Sequence, residues 1–215
     1  MRIYLIRHGQ TDWNVAKKIQ GTTNIPLNET GIRQAHEVGR MFAEKTDEYP
    51  IDYIFTSFLD RAHVTADVIG EHLGLPVEVA EGIHELDLGG FEGLTWAEAE
   101  AKYGPVYDAW YNDRQFAKTP DGGEAYQDAY VRCHEAVRCL AAQHPDAKGI
   151  AIVSHGGTIF ATIAAITNTD FNHMNQYPIG NLSVVVTEYD PETDDWEFLK
   201  IDNDATPANS TTVMR

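Results

Sequence analysis

The chain has 215 residues, a length typical of one domain, and its 16 Lys and Arg against 33 Asp and Glu give a formal net charge of −17. This excess of carboxylates, without a basic stripe, argues against a nucleic-acid or membrane-surface binder, because nucleic acids and anionic lipids are bound by clustered Lys and Arg. The 43% of hydrophobic residues can form a packed core, and no apolar run approaches the roughly 20 residues that span a bilayer.

Strand-like and helix-like segments alternate along the chain. The first half predicts a strand over 3–6, a helix over 32–42 capped by Asn28 or Thr30, a strand over 53–55, a helix over 62–73 that ends at Gly74, and a strand over 77–80. Thr95 and Glu98 predict a capping box for a helix that reaches Tyr103. The second half predicts helices over 124–143 and 158–166 and strands over 149–153, 182–188 and 196–201. This alternation predicts an α/β fold of three layers, α/β/α, with a mostly parallel sheet between helices.

One segment interrupts the alternation. Between about 94 and 123 the pattern gives way to Gly, Pro and aromatic residues, which is typical of an inserted lid rather than a second domain. We predict a single domain over 1–202 with this lid insertion and a polar C-terminal tail over 203–215. The lid aromatics could line a substrate pocket or pack in the core and at a homodimer contact, and both alternatives stay open. They are Tyr107, Trp110, Tyr111 and Phe116.

Two of the predicted strands are followed by the same short pattern, a polar residue, a histidine and a glycine. His8 follows the strand over 3–6, and His155 follows the strand over 149–153. A single histidine after a strand is usually an ordinary polar loop residue. Two such units favour a shared site, because ligands bind at the carboxyl ends of parallel strands near a topological switch. We therefore expect both imidazoles in one crevice, with the glycines allowing a ligand to approach the backbone.

Arginines and carboxylates accompany these histidines. Arg7 precedes His8, and Arg61 lies a few residues beyond the second strand, near a helix start. A guanidinium fork fits phosphate oxygens bidentately, so these arginines are expected to bind an anionic ligand or a carboxylate. A glycine-rich loop after the third strand supplies carboxylates for acid–base chemistry, and spacing alone does not choose among them. They are Glu85, Asp87 and Glu92.

A metal site is one alternative, and a non-catalytic phosphate-binding module is another. His8, His155 and a carboxylate could form a two-histidine, one-carboxylate metal site. The flanking arginines argue against it, because positive charges beside a cation site are unfavourable. The chain also lacks the GxxxxGK[ST] and GxGxxG loops that bind nucleotides. We therefore expect no metal and no cofactor.

In this order, the motifs resemble the histidine phosphatase superfamily, in its phosphoglycerate-mutase-like branch. The resemblance covers roughly residues 1 to 200 and is specific as a set. It rests on Arg7-His8-Gly9-Gln10-Thr11, Ile19-Gln20-Gly21, Ser57 with Arg61-Ala62, Glu85 through Glu92-Gly93, Gly122-Gly123-Glu124 and Ser154-His155-Gly156-Gly157.

The resemblance implies roles for particular residues. It implies that His8 is the nucleophile and becomes phosphohistidine, and that Glu85 is the proton donor. Arg7, Arg61 and the catalytic His155 would hold the phosphoryl group. Further phosphate contacts are implied for Asn14, Gln20 and the backbone amide of Gly156.

The resemblance leaves a choice between phosphatase and mutase. Cofactor-dependent mutases carry additional cations for the second charged end of a bisphosphate. Those positions here hold Trp96, Leu86 and Tyr111-Asn112, and only Arg114 and Lys118 remain nearby. We therefore predict a phosphatase that hydrolyses small-molecule phosphomonoesters, with a small phosphorylated metabolite as partner and a phosphohistidine intermediate. The alternative is a cofactor-dependent phosphoglycerate mutase.

The sequence also predicts a cytoplasmic protein. The N-terminus leads directly into a strand-like run, with neither the apolar region nor the cleavage site of a signal peptide. Cys133 and Cys139 are six residues apart in a predicted helix, which suits neither a redox pair nor a disulfide framework. We interpret both cysteines as reduced, buried apolar residues.

Overall fold

A computed structural model describes residues 1–173 and 176–203. Its strands are β1 (Arg2–Arg7), β2 (Tyr53–Thr56), β3 (Val77–Val79), β4 (Gly149–Ser154), β5 (Val184–Asp190) and β6 (Asp195–Asp202). They form one sheet in the order β3-β2-β4-β1-β5-β6. The first four strands in that order are parallel, whereas β5 is antiparallel to both β1 and β6. The predicted α/β fold with a mostly parallel sheet is confirmed.

Helices cover both faces of this sheet. They are α1 (Asp12–Val15), α2 (Glu29–Glu44), α3 (Asp60–Leu73), α4 (Trp96–Tyr103), α5 (Pro105–Asn112), α6 (Tyr126–Gln143) and α7 (Gly156–Ile166). Side chains alternate between the faces along β1. Tyr4 and Ile6 pack with α2 and α3, whereas Ile3 and Leu5 pack with α6, α7 and the lid. The three-layer arrangement therefore buries each apolar face of the sheet under its own pair of helices.

Local capping explains where several helices begin and end. The Asn28 side chain accepts a hydrogen bond from the amide of Gly31 and so begins α2. Thr95 and Glu98 form the predicted reciprocal capping box of α4. Gly74 adopts the left-handed conformation, with φ of 68°, and so ends α3.

The lid segment is more regular than its composition indicates, because it contains α4 and α5. Pro105 lies in the first turn of α5, where a missing N–H costs no hydrogen bond. The lid aromatics divide into two groups: Tyr107 and Trp110 are buried, whereas Tyr111 and Phe116 are exposed. The division into a domain over 1–202 with a lid over about 94–123 stays a prediction. The predicted tail over 203–215 lies, apart from Asn203, outside the described residues.

The prediction of two buried cysteines is wrong for one of them. Cys133 is buried, but Cys139 is exposed. Cys139 lies on the solvent face of α6, where its thiol contacts Glu135 of the preceding turn. In the part of the chain that the structure describes, no helix is both long enough and apolar enough to cross a membrane.

Candidate active site

The two histidines that follow β1 and β4 lie side by side. β1 and β4 are parallel neighbours, with Arg7 opposite Ser154, so the residues that follow the two strands leave the sheet at the same end. The backbone amide of His8 donates to the Ser154 carbonyl at 3.0 Å. The ring centroids of His8 and His155 are 5.2 Å apart, and both side chains are buried. One crevice therefore contains both imidazoles.

A single hydrogen bond determines the tautomer of His8. Its Nδ1 lies 2.7 Å from the carbonyl oxygen of Gly9. Because a carbonyl can only accept, Nδ1 carries the hydrogen and Nε2 of the neutral ring keeps its lone pair. Burial lowers the pKa of His8 well below its usual value, and the charges of Arg61 and Arg7 lower it further, against the raising effect of the Gly9 carbonyl. At neutral pH, Nε2 is therefore unprotonated.

Gly9 and Gly157, two glycines close to the histidines, are tightly packed against the protein. A Cβ on Gly9 would lie 2.6 Å from the carbonyl oxygen of Gly31, and a Cβ on Gly157 would lie 2.7 Å from Oε1 of Glu85. Both positions are closed to larger residues by the protein itself. The sequence interpretation, which assigned the glycines to the approach of a ligand, did not identify this tight packing.

Two buried arginines border the crevice. Arg7 Nη1 donates to the carbonyl of Ile179 at 2.9 Å. Arg61 is on the first turn of α3, where Nη1 donates to the carbonyl of Thr23 at 2.9 Å and Nη2 to that of Gly21 at 2.6 Å. Carbonyl acceptors orient a guanidinium but leave its charge unneutralised. Within the described residues, Arg61 forms no ion pair with a carboxylate.

The two guanidiniums stay charged despite their burial. Burial lowers the pKa of Arg7 to about 10 and that of Arg61 to about 10, while the charge of Glu85 raises both. A pKa near 10 keeps each side chain protonated at neutral pH. The crevice thus combines two positive charges with two neutral imidazoles, a combination that attracts an anion.

Glu85 lies at the amino end of α7. Its Oε2 accepts from the amide of Gly157 at 3.0 Å, and its Oε1 accepts from the amides of Thr158 and Leu86, each at 3.0 Å. The amides of Gly157 and Thr158 have no partner within the helix, and the helix dipole is positive at this end. Glu85 is therefore fixed beside His155, the residue that precedes α7.

The other two candidate carboxylates bind loops rather than the amino end of α7. Glu92 accepts from the amides of Thr22 at 2.8 Å and Thr23 at 3.0 Å, in the loop whose carbonyls bind Arg61. Asp87 accepts from the amide of Gly89 at 2.8 Å. All three carboxylates are bound by backbone amides, but Glu85 is the one held at the amino end of α7 beside His155, and it is therefore the candidate acid.

His155 is held by a residue to which the sequence assigned no role. Its Nε2 lies 2.7 Å from Oγ of Ser57. Burial lowers the pKa of His155 well below its usual value, and the charges of Arg61 and His8 add to that effect. Its buried Nδ1 has no hydrogen-bond partner among the described residues. His155 is therefore a neutral imidazole with one nitrogen still available.

The remaining predicted contacts surround the same edge. Asn14 Oδ1 accepts from the amide of Thr11 at 3.0 Å, and Gln20 Oε1 accepts from the Thr11 hydroxyl at 3.0 Å. Since both amide oxygens are bound by the protein, the NH₂ groups of Asn14 and Gln20 are the ends that remain for an anion. Gly156 supplies the first amide of α7.

Asn181 is a site residue that sequence reasoning missed. Its Nδ2 donates to the His8 carbonyl at 2.9 Å and to Oδ1 of Asn14 at 3.2 Å. It lies just before β5, which runs antiparallel to β1 and so begins at the edge where β1 and β4 end. Its position just before a predicted strand was visible in the sequence. The sequence does not show that this strand runs antiparallel to β1, which is what brings Asn181 to the site.

A second missed residue, Arg132, fixes the loop that carries Glu85. Its Nη1 donates to the carbonyls of Gly82 and His84, each at 2.7 Å. Its Nε and Nη2 form a bidentate ion pair with Glu124, both bonds at 3.0 Å. This fork connects α6 to the loop and therefore limits where the Glu85 side chain can lie.

Fold and site together suit an enzyme of phosphoryl-transfer chemistry. An unprotonated, buried imidazole nitrogen lies with two charged guanidiniums at the carboxyl ends of parallel strands, and a carboxylate is fixed beside them. Phosphoryl transfer needs little more than positioning and neutralisation of charge on the equatorial oxygens.

Comparison with known proteins agrees with this class. The family model of the histidine phosphatase superfamily (branch 1) matches residues 3–204, and the chain belongs to this family. It is 34% identical over 158 residues to the phosphoglycerate mutase-like protein 4 of Arabidopsis thaliana, covering 73% of this chain and 67% of that protein. It is 36% identical over 172 residues to the glucosyl-3-phosphoglycerate phosphatase of Mycobacterium tuberculosis, covering 77% and 74%.

A solved structure leads to the same conclusion. The mycobacterial glucosyl-3-phosphoglycerate phosphatase in complex with VO3 superposes with a TM-score of 0.79 at 30% identity, covering 94% of this chain and 97% of that one. The predicted family and the predicted phosphatase class are thus confirmed.

Proposed function

We propose that this phosphatase hydrolyses small phosphorylated metabolites with His8 as the nucleophile. The observation that carries the proposal is the state of His8, because its unprotonated Nε2 lies buried within reach of the charges of Arg7 and Arg61. A histidine nucleophile must be unprotonated on the attacking nitrogen. We retain the cytoplasmic location and the homodimer as predictions.

In the first proposed step, Nε2 of His8 attacks the phosphorus of the bound monoester. The bond between phosphorus and the ester oxygen breaks, and the alcohol leaves with a proton from Glu85. Arg7, Arg61 and His155 bind the phosphoryl oxygens, with Asn14, Gln20 and the Gly156 amide as further donors. The two guanidiniums neutralise the charge that spreads over these oxygens in the transition state.

In the second proposed step, water attacks the phosphohistidine. Glu85, now a carboxylate, takes a proton from that water, and the bond between phosphorus and Nε2 of His8 breaks. Inorganic phosphate leaves, and His8 returns to its neutral tautomer because Nδ1 remains hydrogen-bonded to the Gly9 carbonyl. Glu85 thus alternates between acid and base within one turnover.

Hydrolysis should be faster than isomerisation. Leu86 is buried, and the ring of Trp96 stacks on that of Trp110 with centroids 5.3 Å apart, so neither position offers a charge to a bisphosphate. We expect the best substrate in a panel of phosphorylated metabolites to be hydrolysed faster than 3-phosphoglycerate is isomerised with 2,3-bisphosphoglycerate as primer. Phosphate release and product composition measure the two rates. Faster isomerisation would favour the mutase alternative.

Removal of divalent metals should leave the rate of hydrolysis unchanged. Arg7 and Arg61 occupy the places where the charge of a metal would otherwise be needed. In the described part of the chain, no three His, Cys, Asp or Glu side chains group closely enough to hold a metal ion. Dialysis against a strong chelator, followed by a rate assay, tests this expectation. A loss of activity that one divalent metal restores would overturn it.

A further inference from the structure

The tautomer of the proposed nucleophile depends on one peptide unit, the one that joins Gly9 to Gln10. Its carbonyl oxygen lies 2.7 Å from Nδ1 of His8 and holds the hydrogen on that nitrogen. The N–H of the same unit, which belongs to Gln10, donates to Oε1 of Gln34 at 3.0 Å. One peptide unit therefore connects the imidazole of His8 to a side chain of α2.

The planarity of the peptide bond couples these two hydrogen bonds. In a trans unit the C=O and the N–H lie in one plane and point in opposite directions. An acceptor that fixes the direction of the N–H therefore also fixes the direction of the C=O. Donation by the N–H polarises the unit as well, which makes its carbonyl oxygen a stronger acceptor. Gln34 thus acts on the Gly9 carbonyl in two ways, although its hydrogen bond goes to Gln10.

The helix α2 holds Gln34 firmly against this loop. Gln34 is 3% exposed and lies in the second turn of α2. Asn28, the N-cap residue of the same helix, donates its backbone N–H to the Gln10 carbonyl at 3.0 Å. A Cβ on Gly31 would lie 2.2 Å from that carbonyl oxygen, so helix and loop are in close main-chain contact. The Gln34 side chain therefore starts from a backbone that is fixed relative to Gln10.

The preceding peptide unit, which joins His8 to Gly9, is held by other residues. Its carbonyl accepts from Nδ2 of Asn181 at 2.9 Å, and its N–H donates to the Thr65 hydroxyl at 3.0 Å. These two bonds position the backbone of His8, whereas the bond to Gln34 acts on the unit that accepts from the ring. A substitution at Gln34 therefore tests the tautomer separately from the position of the backbone.

We infer that Gln34 is a positioning residue that keeps His8 in the tautomer with the hydrogen on Nδ1. This inference rests on the proposed function, because it explains how Nε2 is kept free to attack phosphorus. Without the Gln34 oxygen, the plane of the peptide unit is no longer fixed from the side of α2, and the bond to Nδ1 weakens. The hydrogen then redistributes between the two ring nitrogens, and on Nε2 it blocks the attack.

NMR of the full chain labelled with ¹⁵N-histidine reads this tautomer directly, at neutral pH and without substrate. The two nitrogens of a neutral imidazole differ in chemical shift according to which one carries the hydrogen. His8→Ala identifies the signals of His8. We expect the hydrogen on Nδ1 in the unmodified chain. Gln34→Met, whose side chain has similar length but no strong acceptor, should show a clear fraction of the form with the hydrogen on Nε2.

The rate should follow the tautomer. Gln34→Met should hydrolyse p-nitrophenyl phosphate roughly 3- to 10-fold more slowly, the effect of one net hydrogen bond. The loss should lie in kcat rather than in KM, since the residues that bind the phosphate are unchanged. Gln34→Glu offers an acceptor oxygen in either protonation state and should restore both the tautomer and most of the rate. If Gln34→Met does not fold, Gln34→Asn, whose amide oxygen falls one methylene short, has the same expected result.

Val38→Ala is the matched control. Val38 is buried one turn after Gln34 on the same helix and belongs to the apolar cluster that contains Ile6. Its truncation weakens the packing of α2 without removing a hydrogen bond. The melting temperature should therefore fall, whereas the tautomer of His8 and kcat, measured where the protein stays folded, should not change.

Three results would each overturn the inference. One is a variant without the Gln34 acceptor in which His8 keeps its hydrogen on Nδ1, whatever the rate. Another is an equal shift of the tautomer in Val38→Ala, which would mean that any loosening of α2 has this effect. The third is a Gln34→Glu chain that regains neither tautomer nor rate. Failure of the proposed function looks different, because the unmodified chain would then release no phosphate from any ester, while the NMR comparison would still report the effect of Gln34 on His8.

Discussion

His8→Ala should lower the rate of phosphate release by at least about 10³-fold, because removal of a nucleophile leaves only binding and electrostatic stabilisation. The same substitution should abolish covalent labelling of the protein by a ³²P-labelled substrate. In the unmodified chain, that label should be labile in acid and stable in base, as expected of a phosphoramidate. Both losses should occur together, because one nitrogen accounts for both.

His63→Ala is a suitable control for this experiment. His63 is half-exposed on α3, where it contacts Asp67 one turn along the helix. Its removal should leave both hydrolysis and labelling intact, which shows that the loss in His8→Ala is specific to the position. Labelling that persists in His8→Ala would assign the nucleophile to another residue.

The sequence predicts the central part of this site because its cues are local. An apolar strand followed by a polar residue and a histidine occurs at His8 and His155, and parallel strands place such residues at one edge. The pairing of Arg7 with Ser154 brings the two histidines together. The capping box at Thr95 is likewise visible from two side chains three residues apart.

The supporting residues were not predictable because they depend on tertiary structure. Asn181 reaches His8 only because β5 runs antiparallel to β1. Arg132 lies in the middle of a long helix, where an arginine usually faces solvent. Its role requires the loop over 82–84 to cross α6, and the sequence does not show that crossing.

The residues of the loop alone do not distinguish the three carboxylates. Spacing within the loop treats Glu85, Asp87 and Glu92 as equivalent. The separation comes from their donors, since Glu92 binds the amides of Thr22 and Thr23, whereas Glu85 binds the amino end of α7. The resemblance to the family selects Glu85 by its position in the family's motif, which periodicity and composition do not indicate.

Glu85→Gln should produce a loss that depends on the leaving group. A general acid matters in proportion to the need of the leaving oxygen for a proton. An alkoxide from a sugar phosphate or a phosphoglycerate needs one, whereas p-nitrophenolate is stable without it. We expect roughly 10²- to 10⁴-fold loss on alkyl phosphates and a much smaller loss in the formation of phosphohistidine from p-nitrophenyl phosphate.

Glu85 is held by the amides of Gly157 and Thr158 at the amino end of α7. A glutamine at this position keeps the shape of the side chain but cannot donate a proton to the leaving alcohol. Comparison of kcat/KM across esters of graded leaving-group acidity measures this difference.

Glu92→Gln separates acid catalysis from positioning. Glu92 is a second carboxylate of the same loop, and it acts on the chemistry only through the loop whose carbonyls orient Arg61. Any loss in Glu92→Gln should therefore be similar for alkyl and aryl esters, because phosphate binding is common to both. If Glu85→Gln also showed equal losses, Glu85 would be a positioning residue rather than the proton donor. The proton donor would then have to be another group.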